Sequence, residues 1–171
     1  AGAGWAIRPL YAAAIVAPFL GVMLAVALID VRWRIVPNRL TYPALVAFLL
    51  VIVAGHLAGG GVDAVRGLLG LALYAGPLFV LAVALPAGMG MGDVKLAALI
   101  GLVLGSLGLA YVAVAAFAGV IGGGVGAVLA MAAMGYGRKQ QIPFGPFLAA
   151  GAVVATLAAP QIAGLYLSLL G

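Results

Sequence analysis

The chain has no cysteine, one histidine and only three acidic residues among 171. Without cysteine there is no disulfide framework, no cysteine-ligated zinc and no thiol nucleophile. One His and three Asp are too few for an all-protein metal cage, so no metal and no cofactor are expected. Charge of either sign is scarce, at 6% of residues, where a soluble domain carries about 25%. That excludes an ordinary soluble domain. What is abundant is apolar: 67% of residues are hydrophobic, which rules out a disordered tail. The net charge is +5, but the cations are scattered among apolar runs and form no basic face, so nucleic acid is not an expected partner. The remaining class is a membrane-embedded protein whose partner is the lipid bilayer.

Charge-free runs mark the spans: Pro9–Ile29, Leu40–Val62, Gly67–Gly92, Leu96–Gly137 and Gln140–Gly171. The fourth run is about twice the ~20 residues that one crossing needs. A break at Gly105-Ser106-Leu107-Gly108 divides it. The expected fold is an all-α integral membrane bundle of about six transmembrane helices, in a single domain over residues 1–171. Continuous apolar runs exclude a β-barrel, whose strands alternate with period two. The first run is long enough to span, so it reads as a helix and not as a cleaved signal peptide. No appended soluble domain is expected.

Alternating loops sort the cations. One side receives Arg32, Arg34, Arg39, Lys95, Arg138 and Lys139, and the other only Arg8 and Arg66. The positive-inside rule then places the first group in the cytoplasm and both termini outside.

Carboxylates are costly in membrane helices and are functional candidates by default. Asp63 lies in an outer loop, three residues before Arg66. It reads as a helix N-cap with an i, i+3 ion pair. His56, near the same face, reads as an interfacial polar residue. Asp30 ends the first span and Asp93 begins the fourth. Two spans separate them, so topology returns both to the cytoplasmic face. A bland role exists for each: an interfacial charge for Asp30, an N-cap for Asp93. The surroundings favour more. Gly88-Met89-Gly90-Met91-Gly92 precedes Asp93 and permits close backbone approach. After Asp30, Pro37 breaks the chain and Asn38 can cap the next helix.

These segments resemble the paired signatures of the type IV prepilin peptidases, membrane aspartyl proteases with a Gly-x-Gly-Asp motif that presenilin also carries. The first reads Asp30…Val36-Pro37-Asn38-Arg39-Leu40-Thr41. The second reads Gly90-Met91-Gly92-Asp93-Val94-Lys95-Leu96. A third, Ile142-Pro143-Phe144-Gly145-Pro146-Phe147, is similar to the family's Pro-Phe-Gly-Pro element. The resemblance implies that Asp30 and Asp93 are the catalytic pair. Pro37, Asn38, Gly90, Gly92, Lys95, Pro143, Gly145 and Pro146 would shape the site. It implies a substrate with a short basic leader in the cytoplasm followed by an apolar helix, cut after a glycine at their junction. It implies a prokaryotic cell membrane. Larger members of the family carry a cysteine zinc domain and N-methylate the product. With no cysteine, this chain resembles the short, peptidase-only form, and methylation is not expected.

Two carboxylates brought together resist double ionisation, so the pair shares one proton and activates water without a covalent intermediate. Lys95 reads equally as a cation that favours ionisation of the pair or as an interfacial snorkelling residue. Gly119, Gly122, Gly123 and Gly126 on the fifth span suit close helix contact. Internal packing is their simpler role, as topology is for Arg32, Arg34 and Arg39. The rival functions are a transporter or channel with intramembrane Asp residues, a non-catalytic assembly subunit, and a related protease acting on other substrates.

Overall fold

The structure is a computed structural model that describes residues 3–84, 90–134 and 144–170, with side chains over 13–84, 90–126 and 144–158. It is all helical, and no strand occurs among the described residues. Six helices follow in order: α1 (Ala3–Trp33), α2 (Asn38–Leu57), α3 (Ala64–Ala84), α4 (Met91–Leu107), α5 (Leu109–Met134) and α6 (Gly145–Leu170).

Within the described residues, four stretches are long and apolar enough to cross a membrane: Ala13–Trp33, Asn38–Leu57, Ala64–Ala84 and Leu109–Gly126. Gly145–Ala158 is a shorter apolar stretch. Continuous helices satisfy every backbone group within the segment, which lipid demands. The long fourth run divides where the glycines predict. Gly108 has φ +156 and ψ 145, a region open essentially to glycine alone. α1 continues past Asp30 to Trp33, and Arg34 then turns the chain in a left-handed conformation (φ 54).

α4 is the core. It touches each of the other five helices, and eleven of its 17 residues are buried, Leu96 to Ser106 nearly without interruption. A helix that is apolar on all faces belongs inside a bundle. Its most extensive contact is with α3, where Gly70 faces Gly101 and Gly105. There the two backbones approach without an intervening side chain, the small-residue packing that membrane helices use. At the far end of the same pair, Asp63 N–H donates to the Ser106 carbonyl at 2.9 Å.

α5 and α6 form the second close pair. Gly119 lies against Leu148 and the Tyr74 hydroxyl, Gly123 against Phe144, and Gly126 against Phe147. Gly119, Gly123 and Gly126 therefore serve internal packing. Asp63 caps α3 as expected: its Oδ1 accepts from Val65 N–H (2.9 Å) and Arg66 N–H (3.1 Å), and its Oδ2 lies 3.4 Å from Arg66 Nε. His56 Nδ1, near the same loop, lies 3.4 Å from the Val62 carbonyl.

Candidate active site

Asp30 sits one turn before the end of α1 and is 96% removed from solvent, with a relative exposure of 4%. A buried carboxylate needs a donor. Here the donor is the backbone N–H of Gly145, at 3.1 Å from Oδ2. Gly145 opens α6, and a Cβ there would lie 2.5 Å from that same oxygen. Only glycine admits the approach. Pro146 follows in the first turn, where its missing N–H breaks no helical hydrogen bond. Pro143 lies outside the described residues.

Asp93 is half-buried in the first turn of α4. The N-cap of that helix is Gly90, and Asp93 N–H donates to the Gly90 carbonyl at 3.1 Å. Asp93 is therefore not an N-cap. Its side chain is free for another task. α1, which carries Asp30, packs against α4, which carries Asp93.

The segment between α1 and α2 is fastened onto α4 at two points. Val36 packs on Gly92, where an added Cβ would come within 2.9 Å of the valine Cβ. Lys95 Nζ donates to Asn38 Oδ1 at 2.9 Å and stands 4.9 Å from the centre of the Tyr42 ring. Asn38 does not cap α2. The N-cap is Pro37, in an extended conformation and without a side-chain cap bond, and the Thr41 hydroxyl donates back to the Pro37 carbonyl at 3.0 Å. Asn38 instead spends its side chain on Lys95. Among the described residues Lys95 forms no ion pair with either Asp.

The three sequence signatures thus meet at one end of the bundle. Gly145 touches Asp30, and Gly92 and Lys95 touch Val36 and Asn38 further along the first signature. Gly88 and Met89 lie outside the described residues. Sequence reasoning missed Tyr42. The signal for it is spacing: Tyr42 follows Asn38 by four residues on one helix, so both face the same neighbour. No group of three or more His, Cys, Asp or Glu gathers to hold a metal among the described residues. Two carboxylates, one buried and held by a backbone N–H and one half-buried, with no cation paired to either among the described residues, are suited to acid–base work on a water molecule.

Comparison with known proteins gives the same direction. Residues 17–128 match the model of the type IV leader peptidase family. The chain belongs to that family. The prepilin leader peptidase/N-methyltransferase of Bacillus subtilis (strain 168) is 35% identical over 156 residues, covering 88% of this chain and 58% of that protein. The proteins of the same name from Aeromonas hydrophila and Aeromonas salmonicida (strain A449) are 32% and 34% identical, each over 86% of this chain and 50% of the relative. The chain thus spans about half the length of the curated relatives it matches. No solved structure matches it. Family membership and the apolar helices together make this leader peptidase family member a multi-pass membrane protein.

Proposed function

We propose that the chain is a membrane aspartic endopeptidase that removes the short basic leader from type IV prepilins or pilin-like proteins. The observation that carries this reading is the burial of Asp30 beside Gly145 at the end of the bundle that also bears Asp93. Family membership supports it independently.

Asp30 and Asp93 act as a pair that shares one proton. The ionised carboxylate takes a proton from water, and the water oxygen attacks the scissile carbonyl. The protonated carboxyl donates to the carbonyl oxygen as charge develops there. The leaving amine then receives a proton and the carbon–nitrogen bond breaks. Gly145 fixes the Asp30 carboxylate. Gly92 and the Lys95–Asn38 bond hold the first signature against α4, and so set the separation of the two acids.

The end of the bundle that carries the acids faces the cytoplasm of a prokaryotic cell, with both chain ends on the opposite side. The excess of Lys and Arg at that end supports this orientation. The leader of the substrate is then presented on the side where the acids lie, and its apolar helix stays in the bilayer.

The test is cleavage of a full-length prepilin by the purified chain in detergent or lipid. Asp30→Asn and Asp93→Asn keep shape and remove charge. Each is expected to lower the rate by about 100-fold or more, with the melting temperature unchanged within a few degrees. Cutting at full rate by either variant overturns the pair. Failure of the parent chain to cut any prepilin overturns the substrate and raises the transporter and assembly readings.

A further inference from the structure

The peptidase reading leaves one feature of the bundle unused, a groove between α1 and α2. Its volume is about 480 Å³, and it is open along one side. Ala14, Pro18 and Val22 line it from α1, and Arg39, Pro43, Ala47 and Val51 from α2. Small side chains and two prolines face each other, so the helices do not close over it. Deeper in, the helices meet through Phe19 and Phe48, whose rings are edge-on with centroids 6.1 Å apart.

The wall is apolar except at one end. There Arg39 is exposed, and among the described residues it pairs with no carboxylate. α1 and α2 are joined by a short turn and run antiparallel, so Arg39 and Val22 lie towards the end that bears Asp30. Ala14 and Val51 lie towards the membrane interior. From Arg39 to Val51 the helix rises about 18 Å. One leaflet of a ~30 Å hydrocarbon core is about 15 Å deep. The length of the groove is close to the depth of one leaflet and well short of two.

We propose that this groove binds one anionic phospholipid from the leaflet that meets Arg39. The guanidinium pairs with the phosphodiester through the fork geometry that suits arginine to phosphate. One acyl chain lies along Pro18, Pro43 and Ala47 to Val51. A lipid fits better than a substrate helix on two counts. A transmembrane helix needs a track across both leaflets, and Arg39 repels a basic leader. The proposal rests on the shape and charge of the groove and not on the peptidase reading.

The experiment is native mass spectrometry of the full chain released from detergent, titrated with phosphatidylglycerol or phosphatidylcholine of identical acyl chains, and separately with inorganic phosphate. The chain is expected to retain phosphatidylglycerol over phosphatidylcholine by roughly fivefold, the discrimination that one cation near an anionic lipid supplies. Inorganic phosphate, which has no acyl chain, is expected not to bind. Arg39→Gln removes the preference. Arg39→Lys keeps most of it. Ala47→Phe, which fills the groove, lowers retention of both lipids. Arg39 is exposed, so its variants fold, and their melting temperatures verify it. Equal retention of the two lipids overturns the proposal. So does an undiminished preference in Arg39→Gln, binding of phosphate alone, or displacement of the lipid by a prepilin transmembrane peptide. None of these readouts depends on cleavage, so failure here leaves the peptidase reading standing, and the reverse.

Discussion

The backbone N–H of Gly145 points at Oδ2 of Asp30 from 3.1 Å and ties the start of α6 to the last turns of α1. The contact is possible because position 145 has no Cβ. Gly145→Ala would set a carbon 2.5 Å from that oxygen and 3.1 Å from Cγ, and the carboxylate must turn away. Displacements of about 1 Å at a reacting group cost roughly 100-fold in rate. Gly145→Ala is therefore expected to lower prepilin cleavage by about that factor while the helical content by circular dichroism is retained. Cleavage at the parent rate would remove Gly145 from the positioning of Asp30.

Lys95 and Asn38 are expected to act as one unit. Their side chains are bonded at 2.9 Å and bring together segments far apart in the chain. In a double-mutant cycle, Asn38→Ala and Lys95→Ala should be non-additive by about 0.5–3 kcal/mol, the range for residues in direct contact. Cleavage rate and thermal stability both serve as readouts. Additivity in both would mean that the bond contributes nothing.

The glycines of the α3–α4 contact are expected to be intolerant. A Cβ on Gly70 would run into the Gly101 carbonyl oxygen and come within 2.8 Å of Gly105 Cα, and backbone cannot yield as a side chain can. Gly70→Ala should cost about 1–3 kcal/mol, as overpacking does, read as a lower melting temperature in detergent. Gly21 has nothing within 4 Å of the same added atom. Gly21→Ala should be neutral or mildly stabilising, since alanine favours a helix more than glycine does.

Asp63 gives the loop between α2 and α3 an acid sensitivity. The backbone N–H of Arg66, then that of Val65, with the Arg66 guanidinium and His56 nearby, hold its carboxyl below the usual carboxylate range. A depressed value means that the charged form stabilises the fold. That contribution is complete above the unfolded value of about 4 and is lost as pH falls through the lower folded value. Asp63→Ala should melt slightly earlier at neutral pH, and by less at strongly acidic pH. Asp63→Asn keeps the cap without the titration. An equal deficit for Asp63→Ala at all pH values would remove this role.

The helices were legible because lipid imposes them: charge-free runs have one stable backbone solution. The division after Leu107 was legible because Gly105 and Gly108 flank it. Asp63 was legible because its partners lie within three residues. Asn38 was misjudged for the converse reason. Capping is a local rule, and the partner that takes its side chain is Lys95, 57 residues away. For Asp93 the N-cap was the bland alternative, and it fails because the helix starts at Met91 with Gly90 as its N-cap. The groove of α1 and α2 left no trace in the sequence, since it depends on how two helices are spaced and not on what either contains.

The glycine contact of α3 with α4 governs how the two acids can move relative to one another. Asp93 rides on α4, and α4 is pressed backbone to backbone against α3 and pinned to its start by Asp63 and Ser106. No side chain intervenes there to act as a bearing. A change in the gap to Asp30 is therefore expected to carry α3 along with α4, against the contacts that Gly92 and Lys95 make with Val36 and Asn38.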